Sequence, residues 1–443
     1  MAIRILDTIL LLIGRLIVKG IFLFFRLIFC IVQTISWKIF GIQDAVEKNK
    51  DPKSKPVAQA LKVLASWKYC LLMPPSLRDF ICVHDEYIDP EYVIQNDHVS
   101  LFFLDPHQDV AVFGEGIPGQ KLWHSDCDSF ISLALFKFSK RLIVMPMEEF
   151  HKVCARLPDP EKPLIIMGNT ARCGSTLLTQ IFECTNKVIS YSEPYPLNNL
   201  GAMFHKKGHC AEVTKLARSL LKMYLRPLDC MPDVEGYLLK PSGPSFVCAK
   251  AIKEVHAKTT VFYLYRDMEC VTKSMYKLSF VLPTTRMCYL FCRLNGNLVE
   301  AAFRNALFPT EGTNRVTDND YCSGIFQAAI ASNVYLKMRK EDKDVHGLLF
   351  DDLLQDKEKG VRAILKICRL PESLFKDAMV AFTRDSQRNS IVSKEVFAAI
   401  KPLEYTEEDK KKSNQLLKEF GYPPIDQPCR IDGTLDFDEI LGN

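Results

Sequence analysis

The sequence predicts an α/β fold, a parallel sheet flanked by helices, with an N-terminal membrane helix and a small α+β extension. Three observations lead there. After Pro163 short apolar runs alternate with amphipathic stretches, residues 164–178 read as a strand, a tight loop and a helix start, and residues 3–40 are mostly Ile, Leu, Phe and Val. Alternation of this kind implies parallel strands joined by crossover helices. The expected division is 1–40 as a membrane-associated hydrophobic helix, 41–60 as a linker, 61–160 as the extension and 161–443 as the α/β domain. A chain of 443 residues with 48% hydrophobic content can fill such a core.

The N-terminal stretch is too long for a signal-peptide core and lacks a small-residue cleavage site, so it is expected to stay attached. On a helical projection Arg4, Thr8, Arg15, Lys19, Arg26 and Gln33 fall within about 60° of one another. That stripe suggests a helix lying in the membrane interface, its charges at the headgroups and Phe22, Leu23, Phe25 and Ile28 in the acyl layer. A spanning helix is the alternative, and would bury Arg15, Lys19 or Arg26 at about 2.5 to 3.5 kcal/mol each. Packing against the protein's own core is a third. Lys38, Lys48, Lys50, Lys53 and Lys55 follow the stretch, which by the positive-inside bias favours a cytoplasmic body; the basic stripe, drawn to anionic lipid, and the absence of any Asn-x-Ser/Thr sequon agree.

Residues 44–56 are charged, contain two prolines and read as linker. In the extension, strands are expected at 92–94, 99–104 and 109–113, then a helical stretch over 130–156 broken at Pro146. No chemistry is read there: His84-Asp85 and Trp123-His124 are taken as packing or surface groups. In the α/β domain strands are expected at 164–167, 188–191, 237–239, 261–265 and 347–350, with helices such as 212–225 and 246–256 between them. Ligands of such sheets sit at the carboxyl ends of strands, where Arg172, Glu193, Lys240 and Arg266 fall. The net charge of +4 is local, since residues 1–60 hold nine Lys or Arg against four Asp or Glu and the remainder 48 against 49, which argues against nucleic acid as a partner. Sixteen cysteines occur without a CxxC pair of zinc spacing, so no metal site is expected.

The loop after the first of these strands, Gly168-Asn-Thr-Ala-Arg-Cys-Gly-Ser-Thr176, is rich in backbone donors and opens a helix. Free first-turn amides and the positive end of the helix dipole make it an anion cradle, to which Arg172 adds charge. It is not a Walker A loop: five residues separate Gly168 from Gly174, and Ser175 stands where lysine is required. What Arg172-Cys173-Gly174-Ser175-Thr176 resembles is the 5'-phosphosulfate loop of the PAPS-dependent sulfotransferases (PAPS is 3'-phosphoadenosine 5'-phosphosulfate), with Cys173 in place of a hydroxyl residue. Arg266 and Ser274, eight apart after the run Thr260 to Tyr265, resemble the element that grips the 3'-phosphate. Ser192-Glu193-Pro194 resembles the Glu-Pro of the membrane-anchored carbohydrate sulfotransferases, and the stretch 347–370 the family's late strand, acidic pair and helix.

This resemblance covers roughly residues 161–392 and implies a P-loop-like sheet, PAPS as cofactor, and a set of roles. Cofactor contacts would come from Arg172, Cys173, Gly174, Ser175, Thr176, Leu177, Arg266, Ser274 and Arg388. Glu193 would be the general base, Arg172 would stabilise the leaving phosphate, and Lys240 would either neutralise the sulfuryl group or serve as a salt-bridge partner. The acceptor implied is a hydroxyl or amine, with carbohydrate favoured. Anchored members of this kind face the Golgi lumen, which opposes the charge argument. The alternative function is a catalytically inactive, membrane-tethered binding or scaffold protein.

Overall fold

The computed structural model of the chain describes residues 5–41, 58–71, 73–295, 297–298, 316–384 and 394–442. Two five-stranded sheets organise it. The first is antiparallel: β1 (Ala58–Ser66), β2 (Phe80–Ile88), β3 (Val99–Asp105), β4 (Val110–Glu115) and β5 (Arg141–Pro146), in the order β2-β1-β5-β4-β3. The extension is therefore more β-rich than its sequence suggested. Residues expected as a strand at 92–94 form a short helix, Tyr92–Gln95, behind the Asp89-Pro90 turn. The expected helix over 130–156 is two helices, Ile131–Phe138 and Met147–Arg156, around the central strand β5. β1 starts inside the segment read as linker; residues 42–57 lie outside the described residues.

The second sheet is parallel: β6 (Leu164–Asn169), β7 (Val188–Ser192), β8 (Gly236–Lys240), β9 (Thr259–Tyr265) and β10 (Val345–Leu349), in the order β10-β9-β6-β8-β7. Its strands read as continuous apolar runs because both faces are covered. Ile165, Met167, Leu238, Phe262 and Leu264 pack toward helices Ser175–Glu183 and Lys357–Ile367, while Leu164, Ile166, Leu239 and Tyr263 belong to the opposite layer with helices Cys248–Val255, Met268–Val281 and Asp320–Glu341. That second layer is continuous with the core of the antiparallel sheet, so Phe102, Phe113, Ile166 and Tyr237 share one cluster. Polar ties cross the same seam: Arg226 Nη2 donates to Val99 O at 2.8 Å, and Ser125 Oγ donates to the buried Glu183. The chain leaves β6 for β7 on one side and later returns to β9 on the other, so the carboxyl end of β6 is the switch point where a crevice opens.

Helix α1 (Ile5–Ile39) lies along the body, and its basic stripe faces inward. Arg286 Nε donates to Thr8 Oγ1 at 3.1 Å; Arg15 donates to the carbonyls of Tyr69 and Lys68; Lys19 reaches Asp79 Oδ1 at 2.7 Å and Arg78 O at 3.1 Å; Arg26 reaches Phe80 O at 3.1 Å. Phe22 meets Trp67, with ring centroids 6.3 Å apart, and Trp37 meets His84 at 5.1 Å. The expectation that these charges sit at headgroups and Phe22 among acyl chains is thus corrected: backbone carbonyls and one buried carboxylate hold the stripe, and Leu6, Leu10, Leu16, Ile17, Phe24, Phe25, Val32 and Ile35 point away from the body. Arg4 lies outside the described residues.

Candidate functional site

β6 ends at Asn169, and the next turn is built from backbone that few residues tolerate. Ala171 (φ 60°), Arg172 (φ 52°) and Gly174 (φ 85°) all sit in the left-handed region. Ala171 N donates to Asn169 Oδ1 at 2.9 Å, which bends the loop back on its own strand. Gly174 is required twice over, since a Cβ there would also come within 2.1 Å of the Phe350 ring. Non-glycine residues held at positive φ cost of order 1 to 3 kcal/mol each and gather at functional sites. Helix Ser175–Glu183 starts at the end of this turn, so its unsatisfied first amides face the loop mouth.

The loop borders a cavity of about 440 Å³. Asn169 to Arg172, Gly174 to Thr176, Glu193, Ser242, Arg266 and Ser274 line its polar end. Arg172 and Ser274, expected in two separate grips, touch directly: Arg172 Nε donates to Ser274 Oγ at 2.9 Å. Burial lowers the Arg172 guanidinium to about 10, which leaves it charged at neutral pH. Arg266, at the end of β9, lies over the Phe350 ring with Asp351 Oδ1 3.5 Å from its Nε. Asp267 caps the following helix by accepting from Cys270 N at 3.1 Å, which fixes where that helix starts and hence where Ser274 falls.

Glu193 follows β7 and has φ 53°. β8 lies between β7 and β6, so Glu193 neighbours Lys240 and not the loop strand directly: Ser192 pairs with Lys240, and Glu193 N donates to Lys240 O at 2.7 Å. Lys240 Nζ is 3.7 Å from Glu193 Oε1, has no exposed surface and lies 5.0 Å from the centre of the Phe130 ring. Of the two roles expected for Lys240, the salt-bridge partner is the one this geometry fits; its side chain is behind Glu193 and outside the cavity wall. Burial pushes the Glu193 carboxyl up and the Lys240 ammonium down, each opposed by the other's charge.

Cys173, expected among cofactor contacts, is fully buried and its Sγ donates to Leu264 O at 3.3 Å. Any contact it makes at the cavity is through its backbone. Leu177 packs on the core below the helix, so it too offers only an amide. Arg388 lies outside the described residues. Sequence reasoning missed Asn169 and Ser242, and missed that the extension supplies Lys68, Leu71, Met73, Pro75, Phe130 and Ser132 to the cavity. The position of Asn169 as the last residue of an apolar strand was a usable signal; the extension residues carry none.

No protein-family model and no curated protein sequence matches the chain. Twelve chains of solved structures are similar to it, among them these two. One is the sulfotransferase domain of the Synechococcus PCC 7002 olefin synthase, with 15% identity and a TM-score of 0.32 over 62% of this chain and 98% of that one. The other is the sulfotransferase STF9 from Mycobacterium avium, with 14% identity and a TM-score of 0.30 over 61% of this chain and 78% of that one. Likenesses of this size carry no residue roles across.

Three buried donors around the polar end have no hydrogen-bond partner among the described residues: Asn169 Nδ2, Arg266 Nε and Lys240 Nζ. Arg266 and Lys240 keep their ion pairs with Asp351 and Glu193, so the cost of an unpaired buried donor, about 1 to 3 kcal/mol, falls on Asn169. Asn169 and Arg266 line the cavity and Lys240 stands behind it, so the polar end is arranged for an oxygen-rich anion.

Proposed function

We propose that the protein is a membrane-attached sulfotransferase that moves a sulfuryl group from PAPS to a hydroxyl or amine acceptor. The observation that carries the reading is the convergence of Arg172, Arg266, Ser274 and Asn169, whose Nδ2 has no hydrogen-bond partner, on one cavity that Glu193 also lines. The residues fit an anion with two charged ends. Arg172, Ser175, Thr176 and the backbone of 173–177 would hold the 5'-phosphosulfate; Arg266 and Ser274, as in the family it resembles, would hold the 3'-phosphate. When bound, PAPS supplies the sulfuryl group, whose bond to the 5'-phosphate oxygen breaks as sulfur bonds to the acceptor, the electron pair leaving with the phosphate.

The chain's own residues provide the rest. Glu193 takes the acceptor proton; burial raises its carboxyl and so makes it a stronger base, a rise that the charge of Lys240 opposes. Lys240 is in this reading a positioning residue. Arg172 stays charged and steadies the departing phosphate without giving up a proton. Ser274, which accepts from Arg172, keeps its own hydroxyl proton to donate.

The test uses three nucleotides and one substitution. PAP, the product nucleotide, should raise the melting temperature, adenosine 5'-phosphosulfate much less, and Arg266→Ala should erase the difference. Equal stabilisation by ATP with magnesium would sink the reading. PAP affinity without transfer to any acceptor would favour the inactive binding protein.

We further propose that α1 lies in the plane of the membrane with the body on the cytoplasmic side. The support is its docking along the body from Thr8 to Trp37, its exposed apolar face, the lysines that follow it and the missing sequons. Protease added outside sealed microsomes should digest the body; protection until detergent is added would establish the lumenal alternative.

A further inference from the structure

The cavity has a second end of opposite character. Leu71, Met73, Pro75, Met275, Leu278 and Leu282 line it, with Cys288 and Ala331 beyond. Its walls come from two segments, the turn 68–75 after β1 and the helices around Leu282, and these same segments seat α1. Arg15 of α1 holds the carbonyls of Lys68 and Tyr69, Tyr69 Oη donates to Leu12 O at 3.1 Å, and Arg286 holds Thr8. Leu12 and Met73 both pack on the cluster that contains Cys288, so one layer of side chains separates the cavity from the membrane helix.

Resting on the transfer reading for its chemistry, we propose that the acceptor is a membrane lipid: an alcohol or amine whose apolar body enters through this end while its reactive head reaches Glu193. The residue types weigh against a sugar. Most hydroxyls of a carbohydrate in the same place would face the six apolar side chains, and each one left without a partner costs about 1 to 3 kcal/mol. The polar groups on this side are few: Lys68 Nζ already donates to Leu71 O and Gln327 Nε2 to Ser323 O, both at 3.2 Å, while Thr284 and Thr285 add two hydroxyls, enough to meet one polar head but not the ring of a sugar. Size points the same way. The cavity is near the lower part of the range for a single ligand, roughly 300 to 1,000 Å³, so a nucleotide at the polar end leaves room for only part of an acceptor. The remainder must stay outside, and the exposed apolar face of α1 puts a bilayer there.

The experiment uses the full chain on phosphatidylcholine vesicles containing a hexadecanol that carries a diazirine, irradiated with PAP present. Adducts are expected on the peptides holding 71–75 and 275–282, competed by plain hexadecanol. Leu278→Trp, which fills the apolar end, should cut them by about tenfold or more while the melting shift with PAP stays. Should that variant fail to fold, which loss of the PAP shift would report, Met73→Glu at a half-buried position serves with the same expectation. Adducts confined to residues 5–40, or adducts in the cavity peptides that neither substitution reduces, overturn the proposal. Failure of the wild-type protein to respond to PAP counts separately, against the transfer reading and not against the lipid seat.

Discussion

The two ends of the cavity are built by different means. The polar end is made by strand termini: Asn169, Glu193, Lys240 and Arg266 or their immediate neighbours follow four adjacent parallel strands, and main-chain hydrogen bonds set their spacing to within a residue. The apolar end is made by side chains from a turn and three helices, held in place by the docked α1. A sheet terminus cannot shift without breaking its ladder, whereas a wall of leucine and methionine adapts by repacking. The difference teaches that the charged groups are fixed by the rigid half, while the half against α1 can adapt; under the proposed function, the first would set the reaction and the second the choice of acceptor.

The largest expected effect separates the two ends. Glu193→Gln keeps size and hydrogen bonding but cannot take a proton, and general-base contributions are typically about 10²- to 10⁴-fold. Turnover should fall by that range with the PAP melting shift and the lipid adducts unchanged. Wild-type turnover in this variant would move the base to another group.

Next comes the seam that joins the sheets. Burial pushes the Glu183 carboxyl up to about 7, with Ser125 donating to it. A folded-state value above the unfolded one gives stability that is full below about pH 4.5 and lost as pH rises through 7. Glu183→Gln, which stays neutral, should therefore match the wild type in acid and exceed it above pH 7 by on the order of 2 to 3 kcal/mol. Melting curves across that range check it, and parallel curves for the two proteins would mean that Glu183 is not proton-linked to folding.

Legibility in the sequence follows the same division. β6 to β10 were readable because strands buried on both faces are uniformly apolar; that Arg172, Arg266 and Ser274 border one cavity was suggested by the strand ends before the two arginines and by the family resemblance. β1 and β2 were not, since they are largely half-exposed and β2 carries His84, Asp85 and Glu86 mid-strand. The stripe on α1 was readable but its partners were not: a basic stripe looks the same whether headgroups or carbonyls meet it. Here the acceptors are mainly backbone oxygens more than fifty residues away, which no side-chain pattern announces. Cys173 was half-legible for a similar reason: sequence gives its place in the loop but not that its thiol turns to Leu264 O, leaving only its backbone to the cavity.

The smallest expected effect bears on whether α1 is part of the folded body or only tethered to it. Lys19 and Asp79 are 2.7 Å apart, and both side chains are mostly buried, at 17% and 9% exposure. Asp79 also accepts from Ser76 N at 3.0 Å, so it would not be wholly stranded if the lysine were lost. Lys19 further lies over the Phe22 and Trp67 rings at 5.4 and 5.7 Å. Exposed pairs contribute about 0 to 1 kcal/mol and hydrogen bonds to charged groups about 1.5 to 3. A half-sheltered pair with one residual partner should fall between, so Lys19→Ala is expected to lower stability by about 1 to 2 kcal/mol. A helix free of the body, with its charges among headgroups, would leave the body's melting temperature unmoved by this change and lose membrane affinity instead. Measuring both on the same vesicles distinguishes the cases, and a neutral result in melting would detach α1 from the segments that form the apolar end of the cavity.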